Sequence, residues 1–203
     1  MELDHLAISG ETLEEARAYV EDKLGVSLNA GGQHDFFATH NALLGLEDGL
    51  YLEAIAIDPE APAPERPRWF DLDRFSGAPR LTNWICRTEN LAGQLADMPA
   101  KMGASVALQR ADLRWRMAVP DDGLLPFDNC APALMQWDTP FHPADTLRSS
   151  GVRLRRLTVS HPKADALQAL ISGQLRDDRL RYVKGDVALA AEFDTPHGSR
   201  ILT

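Results

Sequence analysis

One short pattern occurs twice along the 203 residues, and a third time in weaker form. Leu3-x-His5-Leu6-x-Ile8, followed by Thr12-Leu13, returns 78 residues later as Leu81-x-Asn83-Trp84-x-Cys86, followed by Asn90-Leu91. The fainter copy is Leu154-x-Arg156-Leu157-x-Val159, ahead of a helical segment that begins at His161-Pro162. Repetition of this kind means that one supersecondary unit is used more than once and that its copies bury their apolar faces together. Strand alternation sends Leu6 and Ile8 to one face and His5 to the other. The helix that follows covers the first face, so His5 looks away from it.

The helices are marked by their ends. Thr12 and Glu15 form a capping box, Leu13, Ala16, Val20 and Leu24 make an apolar stripe, and Gly25 supplies the stop. A second helix is expected from Thr88 to Met102, broken or kinked by Pro99, and a third from His161-Pro162 to Gly173. Strands are expected at Val26 to Leu28, Thr39 to Leu46 and Leu50 to Ile57, with Glu47-Asp48-Gly49 as a hairpin turn. In the second copy Ser105 to Gln109, Leu113 to Val119 and Ala133 to Trp137 take the same parts, with Asp121-Asp122-Gly123 as the turn. The result is two β-α-β-β-β units, 1–58 and 79–140, joined by a linker at 59–78 rich in proline and charge. These form one region, 1–146. Residues 147–203 read as a third, partial β-α-β-β unit packed on it, with room for a last strand at Ile201.

Composition narrows the partners. A net charge of -9 argues against nucleic acid, because binding phosphates calls for a basic surface. No segment approaches the ~18 to 20 consecutive apolar residues of a membrane span, and the opening MELDHLAIS is not a basic, apolar leader, so a cytoplasmic location is expected. Cys86 and Cys130 fit neither a zinc knuckle nor a disulfide scaffold, and Cys86 reads as a small core residue. Arg153, Arg155 and Arg156 in the basic tail are expected to be solvated or salt-bridged.

The motifs Gly31-Gly32-Gln33-His34, Ala38-Thr39-His40-Asn41 and Tyr51-Leu52-Glu53, in this order after Asp4-His5-Leu6-Ala7-Ile8, resemble the glyoxalase-like branch of the vicinal oxygen chelate superfamily. That superfamily groups glyoxalases, bleomycin- and fosfomycin-resistance proteins and extradiol dioxygenases. The resemblance implies an α+β fold in which repeated β-α-β-β-β units form curved mixed sheets around a cleft, with the third partial unit at the C-terminus. It also implies a small-molecule ligand, pairing of chains into a homodimer, and a divalent metal such as zinc, manganese, nickel or iron. Ligands carried over position by position are His5 and Glu53 from the first unit, with Asn83 matched to His5 and Gln136 matched to Glu53. Amide oxygens are weak donors, so this set departs from the family pattern.

The resemblance therefore implies His5, Glu53 and Gln136 around a metal, and Glu53 or His34 as the group that moves a proton. His40, Asn41, Asn83 and Arg114 are candidates for substrate contacts. Each also has a plain structural reading. Glu53 fits a metal site, a metal-free ligand site or a closed polar network with His5 equally well, since a buried carboxylate needs one of these. The glycines near His34 allow close approach of backbone to a ligand. Arg114 and Arg116 contact a ligand only if their face of the strand is the cleft, while Trp84 and Trp137 are expected beneath helices. Two functions follow: a metal-dependent lyase, isomerase or dioxygenase, or a non-catalytic protein that binds or sequesters a small molecule.

Overall fold

The computed structural model describes residues 1–203. The first unit contains β1 (Glu2–Ser9), α1 (Leu13–Leu24), β2 (Asn29–His34), β3 (Thr39–Gly45) and β4 (Tyr51–Ile57). The second contains β5 (Arg80–Arg87), α2 (Leu91–Ala96), β6 (Ala104–Arg110), β7 (Leu113–Val119) and β8 (Ala133–Trp137). A short helix, α3 (Pro143–Thr146), leads to β9 (Arg153–Ser160), α4 (Ala164–Ser172), β10 (Leu180–Val183), β11 (Ala188–Thr195) and β12 (Gly198–Leu202).

Two sheets result. The first two units merge into one mixed sheet of eight strands, in the order β2-β3-β4-β1-β5-β8-β7-β6, with β1 and β5 antiparallel at the junction. The order within the second unit mirrors that of the first. This sheet curls until its edge strands β2 and β6 approach one another, which gives it an inside and an outside. Outside, Leu6, Ile8, Trp84 and Cys86 pack against Ala16, Val20 and Leu24 of α1 and against Leu157, Ala191 and Phe193 of the second sheet in one continuous core. Inside, Ala7, Ile55, Ile85, Trp115, Met117 and Met135 surround Phe37 and the linker residues Trp69, Phe70 and Leu72. The linker thus plugs the interior of the curl.

The caps form as read: Thr12 and Glu15 exchange both capping bonds, and Gly25 ends α1 at φ 71°. Three expectations need correction. The strand expected at Val26 to Leu28 lies instead at Asn29–His34, as β2, and so takes in Gly31-Gly32, which sit in a bulge opposite Asn41, where β2 skips from Ala30–Ala42 to Gln33–His40 pairing. The second helix is only Leu91–Ala96, because Pro99 ends it and a separate 3-10 turn covers Ala100–Met102. The last unit is complete, with β12 as its fourth strand, yet it is no topological copy of the others. Its order is β10-β9-β11-β12, with β10 parallel to β9 where the first unit pairs its second strand with its third. Arg153, Arg155 and Arg156 pair with Asp48, Asp194 and Glu192 at the surface. No helix is long and apolar enough to cross a membrane.

Candidate functional site

The interior carries a row of buried polar side chains, and a bulge in β1 creates it. Leu3 lies opposite Cys86 and His5 opposite Ile85, so Asp4 is an extra residue in the ladder. A bulge turns neighbouring side chains toward the same side instead of opposite ones. Asp4 Oδ1 accordingly sits 2.6 Å from His5 Nδ1, and Asp4 Oδ2 accepts from Trp137 Nε1 at 3.1 Å and lies 3.0 Å from His142 Nε2. His142 caps α3 by accepting the Ala144 N–H at Nδ1, which places its own proton on Nε2, toward Asp4. Burial works against the Asp4 charge, but these hydrogen bonds from His142 and His5 outweigh it and hold the carboxyl well below its usual range.

The parallel pairing of β1 and β4 brings in the next groups. His5 lies beside Tyr51 and Ala7 beside Glu53, and the His5 and Tyr51 rings stack at 4.3 Å. His5 Nε2 is 3.6 Å from Glu53 Oε2, an ion-pair distance slightly too long for a hydrogen bond. Asn41 Nδ2 donates to Glu53 Oε1 at 2.5 Å. Burial opposes both charges, yet the two carboxylates flanking His5 raise it to about 9, and His5 and Asn41 help lower Glu53 to about 2. The centre at neutral pH is therefore Asp4 and Glu53 ionised on either side of a protonated His5.

Asn41 continues the chain of contacts. Its Oδ1 accepts from Gly32 N–H at 2.8 Å and from Arg110 NH1 at 3.1 Å. Arg110, at the end of β6, crosses from the second unit to the first and also lies 3.3 Å from His34 Nε2. Burial pushes His34 down to about 4, so it is neutral, with Nε2 accepting and Nδ1 3.1 Å from Thr39 Oγ1. The glycines of β2 make this possible. A Cβ on Gly31 would lie 2.0 Å from Asn41 Oδ1, and one on Gly32 would lie 2.7 Å from Arg110 Cδ. They clear space for two side chains of the protein itself rather than for a ligand's approach to backbone.

Of the residues singled out in the sequence, His5, His34, Asn41 and Glu53 share one cavity. The other candidate metal, catalytic and substrate residues do not reach it. Gln136 points outward, accepting Leu91 N–H of α2 at 2.9 Å. The match to Glu53 was displaced: Ala7 pairs with Glu53 and its repeat counterpart Ile85 pairs with Ala133, so Ala133 occupies the position of Glu53 in the second unit. Arg114 alternates outward from Trp115 and bonds only the Asp112 carbonyl. His40 shares the outward face of β3 with Ala42 and Leu44. Asn83 faces inward but lies outside the cavity; its Oδ1 accepts from Asn129 at 3.4 Å and its Nδ2 is unpartnered. Trp137, expected beneath a helix, lines the cavity. Asp4, His142 and Arg110 were not among the candidate site residues. The first two depend on a bulge, and Arg110 on closure between the ends of the sheet, and neither leaves a local pattern.

The cavity itself is small. Its free volume is about 30 Å³, room for roughly one water. Side chains from every strand of the curled sheet except β5 line it, with Trp69 and Phe70 of the plug closing it. Phe70 also borders an outer groove of about 810 Å³ between the linker, α1 and the second sheet. Phe70 and Asp71 both hold φ at 59°, a left-handed conformation that disfavours side chains.

The donor set does not fit a divalent metal. A catalytic transition-metal site takes about three imidazole or carboxylate ligands. His5 and Glu53 supply two, both Asp4 oxygens are taken, His34 Nε2 faces a guanidinium, and the second unit offers Asn83 and Ala133. No group of three or more His, Cys, Asp or Glu side chains is arranged to hold a metal ion.

A curled sheet of two mirrored β-α-β-β-β units, with an imidazole and a carboxylate from its first and fourth strands facing the inside, is the architecture of a glyoxalase-like protein. The glyoxalase-like domain pattern matches residues 3–175, and the chain belongs to that family. Among solved structures, a hypothetical protein from Staphylococcus aureus is similar in fold, with 12% identity, a TM-score of 0.58, and coverage of 92% of this chain and 87% of that one. Methylmalonyl-CoA epimerase from Mycobacterium tuberculosis is 20% identical, with a TM-score of 0.43 over 66% of this chain and 85% of that one. A catechol 2,3-dioxygenase is 14% identical, with a TM-score of 0.37 over 84% of this chain and 54% of that one. No curated protein matches the chain.

Proposed function

We propose that this chain binds a small organic molecule inside the curled sheet, at the His5–Glu53 pair, without a metal ion. The observation that carries this reading is the buried charge itself. Asp4, His5 and Glu53 are nearly inaccessible, and His5 and Glu53 line the inner cavity beside the neutral, equally buried His34 and Asn41. Ionised groups there cost far more than an apolar filling, and replacing such pairs by hydrophobic residues is often neutral or stabilising. Glu53 accepts hydrogen bonds from the ligand, and protonated His5 donates. The aromatic wall of Trp69, Trp115 and Trp137 supplies apolar contact. Entry requires the Trp69–Phe70 plug to move, because the resting cavity, at about 30 Å³, is too small for an organic molecule.

A metal-dependent reading draws on one feature, the Asp4–His5 bond, which is the kind of contact that orients a ligating imidazole. The missing third donor weighs against it. Elemental analysis of protein purified without a histidine tag separates the two. The expected outcome is substoichiometric zinc, manganese, nickel and iron. Tryptophan fluorescence should then report organic ligands whose binding weakens in Glu53→Gln. Stoichiometric metal that disappears in both His5→Ala and Glu53→Ala would overturn the proposal.

A further inference from the structure

We infer that the molecule bound inside the sheet carries a carboxylate, and that the free edge of the Arg110 guanidinium holds it; this rests on the interior being a small-molecule site. Arg110 is the only arginine or lysine among the side chains that line the cavity. Its recorded contacts run through NH1 alone, to Asn41 Oδ1 at 3.1 Å and to His34 Nε2 at 3.3 Å. Both acceptors are neutral groups, so no carboxylate of the protein answers its charge. The Glu53 charge nearby is already matched by His5.

What remains open on Arg110 is the Nε and NH2 edge, two parallel donors in one plane. That geometry fits the two oxygens of a carboxylate. Asn41 and His34 fix the plane by engaging the opposite nitrogen, which is what a binding fork needs and a flexible surface arginine lacks. The sequence also gives up strand stability for this arm. Two successive glycines weaken an edge strand, yet without them Asn41 and Arg110 would have no room.

The alternative is that Arg110 merely clasps β6 to β2, and the test separates the two roles. Butyrate and benzoate are titrated against their amides, butyramide and benzamide, and against phenyl phosphate, with tryptophan fluorescence and thermal shift as readouts. Wild-type protein should respond to an acid and not to its amide. Arg110→Lys, which keeps the charge but loses the fork, and Gly32→Ala, which displaces the arm without touching its charge, should each weaken acid binding about tenfold or more. If Gly32→Ala does not fold, Arg110→Lys still reads the fork. Equal binding of acid and amide, or acid binding unchanged in Arg110→Lys, would overturn the inference while leaving the ligand site intact, provided Glu53→Gln still weakens it. Response to phenyl phosphate alone would overturn the carboxylate assignment. No response to any of the probes would count against the inference and the ligand site together.

Discussion

His5 and His34 line the same cavity, yet their proton affinities move in opposite directions. His34 meets burial with little compensation and falls to about 4, whereas His5 is buried between two carboxylates and rises to about 9. The signs decide how stability depends on pH. Above the ordinary histidine value of 6.5, native His5 keeps a proton that the unfolded chain has lost, so stability declines as pH rises toward 9. Below 6.5, the unfolded chain protonates His34 while the native state refuses, so stability declines as pH falls toward 4. Glu53 adds a loss below its ordinary 4.5 as pH falls toward 2. Calorimetry across pH should find a stability maximum near 6.5, with the alkaline limb flattened in His5→Phe and the acid limb in His34→Phe. Asp4→Ala removes a carboxylate serving three donors and leaves His5 without its nearest counter-charge. Urea denaturation should show a loss of about 3 kcal/mol or more.

Among the elements, the linker between the units fills the interior of the curl. Phe70 is the wall shared by the inner cavity and the outer groove. Phe70→Ala should cost roughly 3 kcal/mol, as a large-to-small change in a packed interior does. It should also increase acrylamide quenching of Trp115 and Trp137; unchanged quenching would show that another barrier guards the interior. The element scale also separates what was legible in the sequence from what was not. The strand and helix order of both main units, the capping of α1, and the inward sides of His5 and Glu53 could be read, because period-two alternation and cap chemistry are local. The bulges at Asp4 and Gly31-Gly32 could not, since a bulge is the failure of alternation and depends on the partner strand. Gln136 was misassigned because the repeat shifts between its first and last strands, and pairing rather than spacing reveals Ala133. The third unit misled in another way: its pattern repeats, but strand pairing is set by what the sheet packs against.

Taken whole, the molecule uses its two mirrored halves unequally. One half brings a histidine and a glutamate to the interior, and the other answers with Asn83, Ala133 and the crossing arm of Arg110. Because β2 and β6 approach each other without pairing, the edges of the large sheet shield one another within one chain. Edge strands are where sheets recruit partners, so sedimentation at micromolar concentration should show a monomer, in contrast to the paired chains that the family resemblance implies. The left-handed turn at Phe70 and Asp71 bears on how such a closed shell could be opened. Residues held in that region sit on the order of 1–3 kcal/mol above relaxed backbone. On the proposed ligand-binding reading, a guest that dislodges them lets this backbone relax, which offsets part of the work of admission.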